Sequence, residues 1–152
     1  MHLSLNGKRA VVCGSTSGVG LAIVIALADA GAEVVVNGRC QERVDAALRA
    51  VRERLPRARI IGIAADLDDA QGLRTLIERV PHTDILVDTL GLGVPLWRDY
   101  AVGMAERRWG RVVLRAGGER LAAAGVSVHP LPWGAADAVA AQVVALARSE
   151  VG

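Results

Sequence analysis

Arg9-Ala10-Val11-Val12-Cys13-Gly14-Ser15-Thr16-Ser17-Gly18-Val19-Gly20-Leu21-Ala22-Ile23-Val24-Ile25-Ala26-Leu27-Ala28-Asp29-Ala30-Gly31 reads as a strand, a tight turn and a helix in direct succession. The β-branched run up to Cys13 suits a strand. The helix predicted over 18–30 is apolar nearly all round, as a helix packed on a sheet should be, and Gly31 is a good C-terminal stop. Between them, Gly14, Gly18 and Gly20 let the chain turn tightly and bring backbone N–H groups close to a phosphate. The helix N-terminus adds free donors and partial positive charge, which suits a pyrophosphate. The hydroxyls of Ser15, Thr16 and Ser17 are expected to add hydrogen bonds or to cap the helix. The spacing is Gly-x-x-x-Gly-x-Gly. It is neither the Gly-x-Gly-x-x-Gly fingerprint nor a P-loop, which needs a following lysine.

Downstream the same alternation repeats. Val34 to Val36 is a predicted strand. Residues 41–55 form an amphipathic helix, with Val44, Ala47, Leu48, Val51 and Leu55 at three- and four-residue steps and Pro56 as its stop. Strands follow at 59–63 and 83–89, with a helix over 69–80 between them. Continuously apolar strands imply burial on both faces, hence a parallel sheet between helix layers. With right-handed crossovers this is a doubly wound α/β fold of three layers, α/β/α. Beyond it the pattern loosens: a helix over 97–109, a strand over 111–115, a helical turn or two over 119–124, a sixth strand over 126–129 and a last helix over 135–149. The connection of residues 116–125 is short for a parallel crossover, so about six strands are expected, with the last part truncated.

Composition excludes several classes. The chain has 152 residues, 52% of them hydrophobic, with 18 basic and 16 acidic side chains and a net charge of +2. That is too apolar and too balanced for disorder, and it makes no case for nucleic-acid binding. The longest apolar run, residues 19–28, is half of what a membrane span needs, and Met1 to Asn6 lack the apolar core of a signal peptide. Cys13 and Cys40 fit no metal or redox spacing and are expected to be buried or half-buried thiols in a reducing cytoplasm. His2, His82 and His129 show no ligand spacing, so no metal is expected. Of the basic residues, all but Lys8 are arginine; Arg39 stands just after the second strand, where a guanidinium fork suits the 2′-phosphate of NADP. Arg98, Arg107, Arg108, Arg111, Arg115 and Arg120 read as a solvated face. Trp97, Trp109, Trp133 and the lone tyrosine, Tyr100, read as core or surface packing.

These residues together resemble the short-chain dehydrogenase/reductase family. Gly14, Gly18 and Gly20 match its glycine motif, with Cys13 where threonine is usual, and Asn6 to Ala10 are similar to its lead-in. Asp84-Ile85-Leu86-Val87-Asp88-Thr89-Leu90-Gly91 resembles its Asp-Ile-Leu-Val-Asn-Asn-Ala-Gly strand, with Asp88 and Thr89 replacing the asparagines. Trp109 to Val113, and Gly125 to His129 followed by Pro132, resemble its fifth and sixth strands. The resemblance implies one NAD(P)-binding, Rossmann-like domain over residues 1–152. It implies that Gly14, Ser15, Thr16, Ser17, Gly18, Val19, Gly20 and Gly91 line the cofactor site. It also implies that Asp66 bonds the adenine amino group, with Leu67 beside the ring; with Arg39 after the second strand, the expected cofactor is NADP (NADPH).

The family's chemistry needs a Tyr-x-x-x-Lys pair, which places phenol and ammonium on one helix face. A phenol titrates near 10 and must be lowered by its neighbours. Four residues after Tyr100 stands Met104, and Lys8 precedes the first strand, at the edge away from the ligand side. No catalytic residue is therefore assigned; Asp88 and His129, near strand ends, are the remaining acid/base candidates. The expected function is an NADP-binding, short-chain-reductase-like protein, nominally an oxidoreductase on a carbonyl/alcohol pair but catalytically impaired. The alternatives are a non-catalytic dinucleotide-binding or scaffolding module, or a degenerate fragment of a reductase. Its partners are the cofactor and, if active, an unknown small-molecule substrate. No nucleic acid or membrane is expected, and the family's dimer is in doubt.

Overall fold

The computed structural model describes residues 4–115 and 125–149. Six strands form one all-parallel sheet: β1 (Arg9–Cys13), β2 (Glu33–Gly38), β3 (Ile60–Ala64), β4 (Ile85–Asp88), β5 (Gly110–Leu114) and β6 (Val126–Pro130), in the order β3-β2-β1-β4-β5-β6. Five helices accompany them: α1 (Gly18–Asp29), α2 (Gln41–Arg54), α3 (Ala70–Arg79), α4 (Val94–Arg107) and α5 (Ala136–Arg148). This is a Rossmann-like α/β fold.

Strand side chains alternate between two cores. Ala10, Val12, Val34, Val36, Ile85, Val87 and Val113 pack under α1, α2 and α5. Val11, Cys13, Val35, Leu86, Val112 and Leu114 pack under α3 and α4. The centres of the strands with neighbours on both sides are apolar because both faces are covered, with polar residues confined to their ends. Helix α1 is apolar on nearly every side because it is wedged between the sheet and α5, with Leu21, Ala22 and Ile25 at the margin of that core. Strand β3 departs from two-sided burial: it is an edge strand, and Ile61 is 44% exposed.

The far edge of the sheet forms in register. Gly110 to Leu114 pair with Val126 to Pro130 in parallel, across the short connection that made a sixth strand doubtful. The helical turn expected over 119–124 lies outside the described residues, as do Arg120 and His2. Helix α4 begins three residues earlier than predicted, because Pro95 fits its first turn. Two expectations are corrected. Cys40 is exposed, since it is the N-cap of α2 rather than part of a strand. Arg111 belongs to no solvated face: it is buried, donating to the carbonyls of Gly110, Gly125 and Ser149, and it ties the end of α5 to the sheet. Its guanidinium and the Lys8 ammonium lie over the Trp109 ring, 4.2 and 3.9 Å from the centroid.

Candidate cofactor site

The strand order reverses between β1 and β4, and the glycine loop and the loop after β4 leave the carboxyl ends of these neighbours. That crevice is where open parallel sheets bind ligands. The loop from Gly14 to Ser17 closes on itself because of its glycines. Gly14 has φ +69°, and a Cβ there would stand 2.6 Å from Leu90 Cδ2. A Cβ at Gly20 would strike the Gly14 carbonyl and come within 2.8 Å of Ser15 Cα.

Asn37, a buried polar residue in β2, holds this loop in place. Its Oδ1 accepts from the Gly14 N–H at 3.1 Å, and its Nδ2 donates to the carbonyls of Ile63 and Ala65, both at 3.2 Å. Its backbone closes on Ser15: the Ser15 N–H donates to the Asn37 carbonyl at 2.8 Å, and the Asn37 N–H donates to Ser15 Oγ at 2.9 Å. Ser15 Oγ in turn donates to the Val12 carbonyl at 2.8 Å. The hydroxyl expected to reach a phosphate is therefore spent inside the protein, and Ser15 is a positioning residue. Ser17 is the N-cap of α1 but makes no side-chain capping bond. Asn37→Ala would remove the side-chain partner of the Gly14 N–H and of two carbonyls, those of Ile63 and Ala65. We expect a loss of about 2–4 kcal/mol, measured by denaturant unfolding against the parent protein.

The groove crossing the loop has two lobes that share Gly14, Ser17 and Leu90. The first, about 300 Å³, is lined also by Thr16, Arg39, Arg43, Asp66, Leu67 and Asp68. The second, about 290 Å³, runs along Val19, Gly20, Thr89, Arg115 and the loop from Leu131 to Gly134. Thus Thr16, Arg39, Asp66 and Leu67 gather on one side of the loop, and Val19 and Gly20 on the other. Gly18, at the start of α1, and Gly91 line neither lobe. Among the described residues no carboxylate pairs with Arg39 or Arg43. Sequence reading missed Arg43; its signal was the four-residue step from Arg39 into the first turn of α2.

Asp88 has a different task from the one foreseen. It is fully buried, and its carboxylate accepts four backbone N–H groups: Leu90 and Gly91 on Oδ1, both at 2.9 Å, and Leu92 and Gly93 on Oδ2, at 2.7 and 3.2 Å. It is the clamp of the loop after β4. Thr89 Oγ1 ties the same loop to the glycine turn, donating to the Cys13 carbonyl at 2.6 Å. Burial, with Asp88 nearby, pushes the Cys13 thiol far up.

The remaining acid/base candidates do not converge. Asp88 pairs in register with Leu114, on the α3/α4 face, while His129 pairs with Val113, on the α1/α5 face two strands away. Burial, and then the charge of Arg111, hold the His129 imidazole below its ordinary range. Tyr100 is a core residue: its hydroxyl donates to the Val80 carbonyl at 2.7 Å, and burial raises its phenol above the ordinary value. Lys8 sits on Trp109 at the opposite edge of the sheet from the glycine loop.

A family model described as short chain dehydrogenase matches residues 8–114. The chain belongs to the short-chain dehydrogenase family. A relative is the uncharacterized oxidoreductase YvaG of Bacillus subtilis, 35% identical over 76% of the chain. The chain spans 53% of that relative's length, and smaller shares of others. Among solved structures, the NADPH-bound short chain oxidoreductase from Pseudomonas aeruginosa PAO1, described as containing an atypical catalytic center, is 28% identical with a TM-score of 0.64, over 72% of this chain and 54% of that one. A metagenomic short-chain oxidoreductase in complex with NADP superposes over 97% of this chain and 93% of its own, with a TM-score of 0.76. At 20% identity that likeness speaks for the fold. Among the described residues, no helix is long and apolar enough to cross a membrane.

Proposed function

We propose that this chain holds NADP(H) along the two-lobed groove and does not itself reduce a carbonyl. One observation carries the cofactor reading: two guanidiniums, Arg39 and Arg43, line the same cavity as the glycine loop without a carboxylate partner. A phosphate ester on the adenosine ribose matches those two guanidiniums, whereas a bare ribose would call for an acidic residue just after β2, where Arg39 stands. Asp66 and Leu67 would take the adenine. Thr16, Ser17 and the N–H groups of Gly18, Val19 and Gly20 would take the pyrophosphate, on a turn that Asn37 and Ser15 preorganise. Gly91 would contribute only through the loop that Asp88 clamps. The similar short chain oxidoreductase from Pseudomonas aeruginosa PAO1, 28% identical, binds NADPH, which supports the choice. Residues 1–152 would act as one such domain. The free thiols of Cys13 and Cys40 suit a reducing, cytoplasmic setting.

The bound nucleotide would supply a hydride donor; a carbonyl also needs a proton at its oxygen. Tyr100 is committed to Val80 inside the core, Lys8 lies at the far edge, and Asp88 holds four N–H groups. None of them is placed to give that proton, which supports the impaired reading. The purified chain is expected to oxidise NADPH no faster than background across a panel of ketones. Turnover that disappears in Asp88→Asn or His129→Gln would contradict this. Arg39→Gln is expected to weaken NADPH about ten-fold, the loss of one charge-assisted bond, and to leave NADH unchanged. Parallel titrations of the two nucleotides measure the difference.

A further inference from the structure

The two lobes of the groove meet at Gly14, Ser17 and Leu90, and their walls differ in chemistry. The Arg39 side carries charges of both signs, with Arg43, Asp66 and Asp68 on its wall. The other lobe is apolar, lined by Val19, Leu90, Leu131, Pro132, Trp133 and Val139. Among the described residues, Arg115 is the one titratable side chain on it, and no carboxylate lines it. Arg115 is exposed but anchored: its backbone N–H donates to the Asp88 carbonyl and its Nη1 to the Thr89 carbonyl, both at 3.0 Å. Among the described residues no carboxylate pairs with the guanidinium. A positive charge is therefore held at the wall of this lobe with none of opposite sign beside it.

The consequence rests on the cofactor reading above. With the 2′-phosphate and adenine on the Arg39 side and the pyrophosphate on the glycine loop, the nicotinamide riboside is left the second lobe. The two redox forms of that ring differ by one positive charge: the oxidised ring is a cation and the reduced ring is neutral. The phosphates are the same in both forms, so any attraction between them and Arg115 cancels in the comparison. The repulsion between the guanidinium and a cationic ring does not cancel, because no carboxylate in the lobe offsets it. The apolar walls act in the same direction, since they disfavour a charged ring relative to a neutral one. We propose that Arg115 makes the groove selective for redox state, so that it takes the reduced dinucleotide in preference to the oxidised one. A chain that holds NADPH without turning it over is then a reader of reduced cofactor, which NADP⁺ displaces poorly.

Calorimetric titration with NADPH, with NADP⁺ and with adenosine 2′,5′-bisphosphate, which lacks the nicotinamide riboside, tests this. NADPH is expected to bind about five-fold tighter than NADP⁺, the size of one partly solvated charge contact. Arg115→Gln is expected to bring the two forms within about two-fold of each other, and Arg115→Lys to keep the preference. The adenosine bisphosphate is expected to bind the parent and both variants alike. The substituted side chain is exposed, and melting curves confirm that the variants fold. Equal affinities of the parent for the two forms, a preference for NADP⁺, or a preference that survives Arg115→Gln would overturn the proposal and leave the cofactor reading standing. Loss of the adenosine bisphosphate in Arg115→Gln would assign Arg115 to the adenosine end and overturn it as well. Binding of none of the three nucleotides would sink both readings. NADH held as tightly as NADPH, with the same five-fold preference over NAD⁺, would sink the role given to Arg39 and support this one.

Discussion

Gly20→Ala is expected to abolish measurable NADPH binding and to destabilise the protein. The added methyl would meet backbone on the far side, the Gly14 carbonyl and Ser15 Cα, so no side chain can swing away to admit it. Either α1 slides outward, opening its packing against β1 and α5, or the loop from Gly14 to Ser17 unwinds. Forced insertion into a packed site costs about 1–3 kcal/mol, and the loop that gives way is the one proposed to cradle the pyrophosphate. A loss of a hundred-fold or more in affinity corresponds to about 3 kcal/mol, within reach of losing several N–H contacts at once. Gly7→Ala is the control for binding: its φ of +80° strains an added side chain, but nothing stands within 4 Å of its Cβ and it is remote from the groove. Fluorescence titration with NADPH and a melting curve on both variants separate the two effects.

Asp88→Ala is expected to be the most destabilising single change in the chain. It would leave four N–H groups, from Leu90 to Gly93, without their acceptor. Those donors lie beside a fully buried position, so water replaces the carboxylate poorly. Losing this cluster should cost about 3–5 kcal/mol, which lowers Tm by roughly 10 °C in a domain of this size. Asp88→Asn keeps one acceptor oxygen but turns an amide donor toward other donors, so an intermediate loss is expected. If Asp88 were instead a catalytic group, Asp88→Ala would cost activity with little change in Tm; calorimetry of the three proteins decides.

What could be read from the sequence was what is local. The glycine loop shows itself because its strand, turn and helix start occupy one short stretch, and no distant partner is needed to see that Gly14, Gly18 and Gly20 bend the chain. The parallel sheet follows from the alternation of apolar strands and helices. Asn37 was invisible as a determinant because its meaning lies in the Gly14 N–H and in carbonyls more than twenty residues away. Arg111 looked like any other arginine in an arginine-rich chain; only the pairing of β5 with β6 and the packing of α5 on β5 bring the carbonyls of Gly125 and Ser149 around it. Ile61 reads like its neighbours in β3, and strand order alone puts it at an edge. Asp88 and His129 both sit near strand ends, as expected, but a difference of one residue in register puts them on opposite faces of the sheet.

Titration of the purified chain with NADPH and with NADH, followed by nucleotide fluorescence, is the most direct test of the groove. Saturable binding of NADPH, tighter than NADH by about ten-fold as one charge-assisted phosphate contact requires, is the expected result. Binding of neither nucleotide by a protein that melts cooperatively would contradict it.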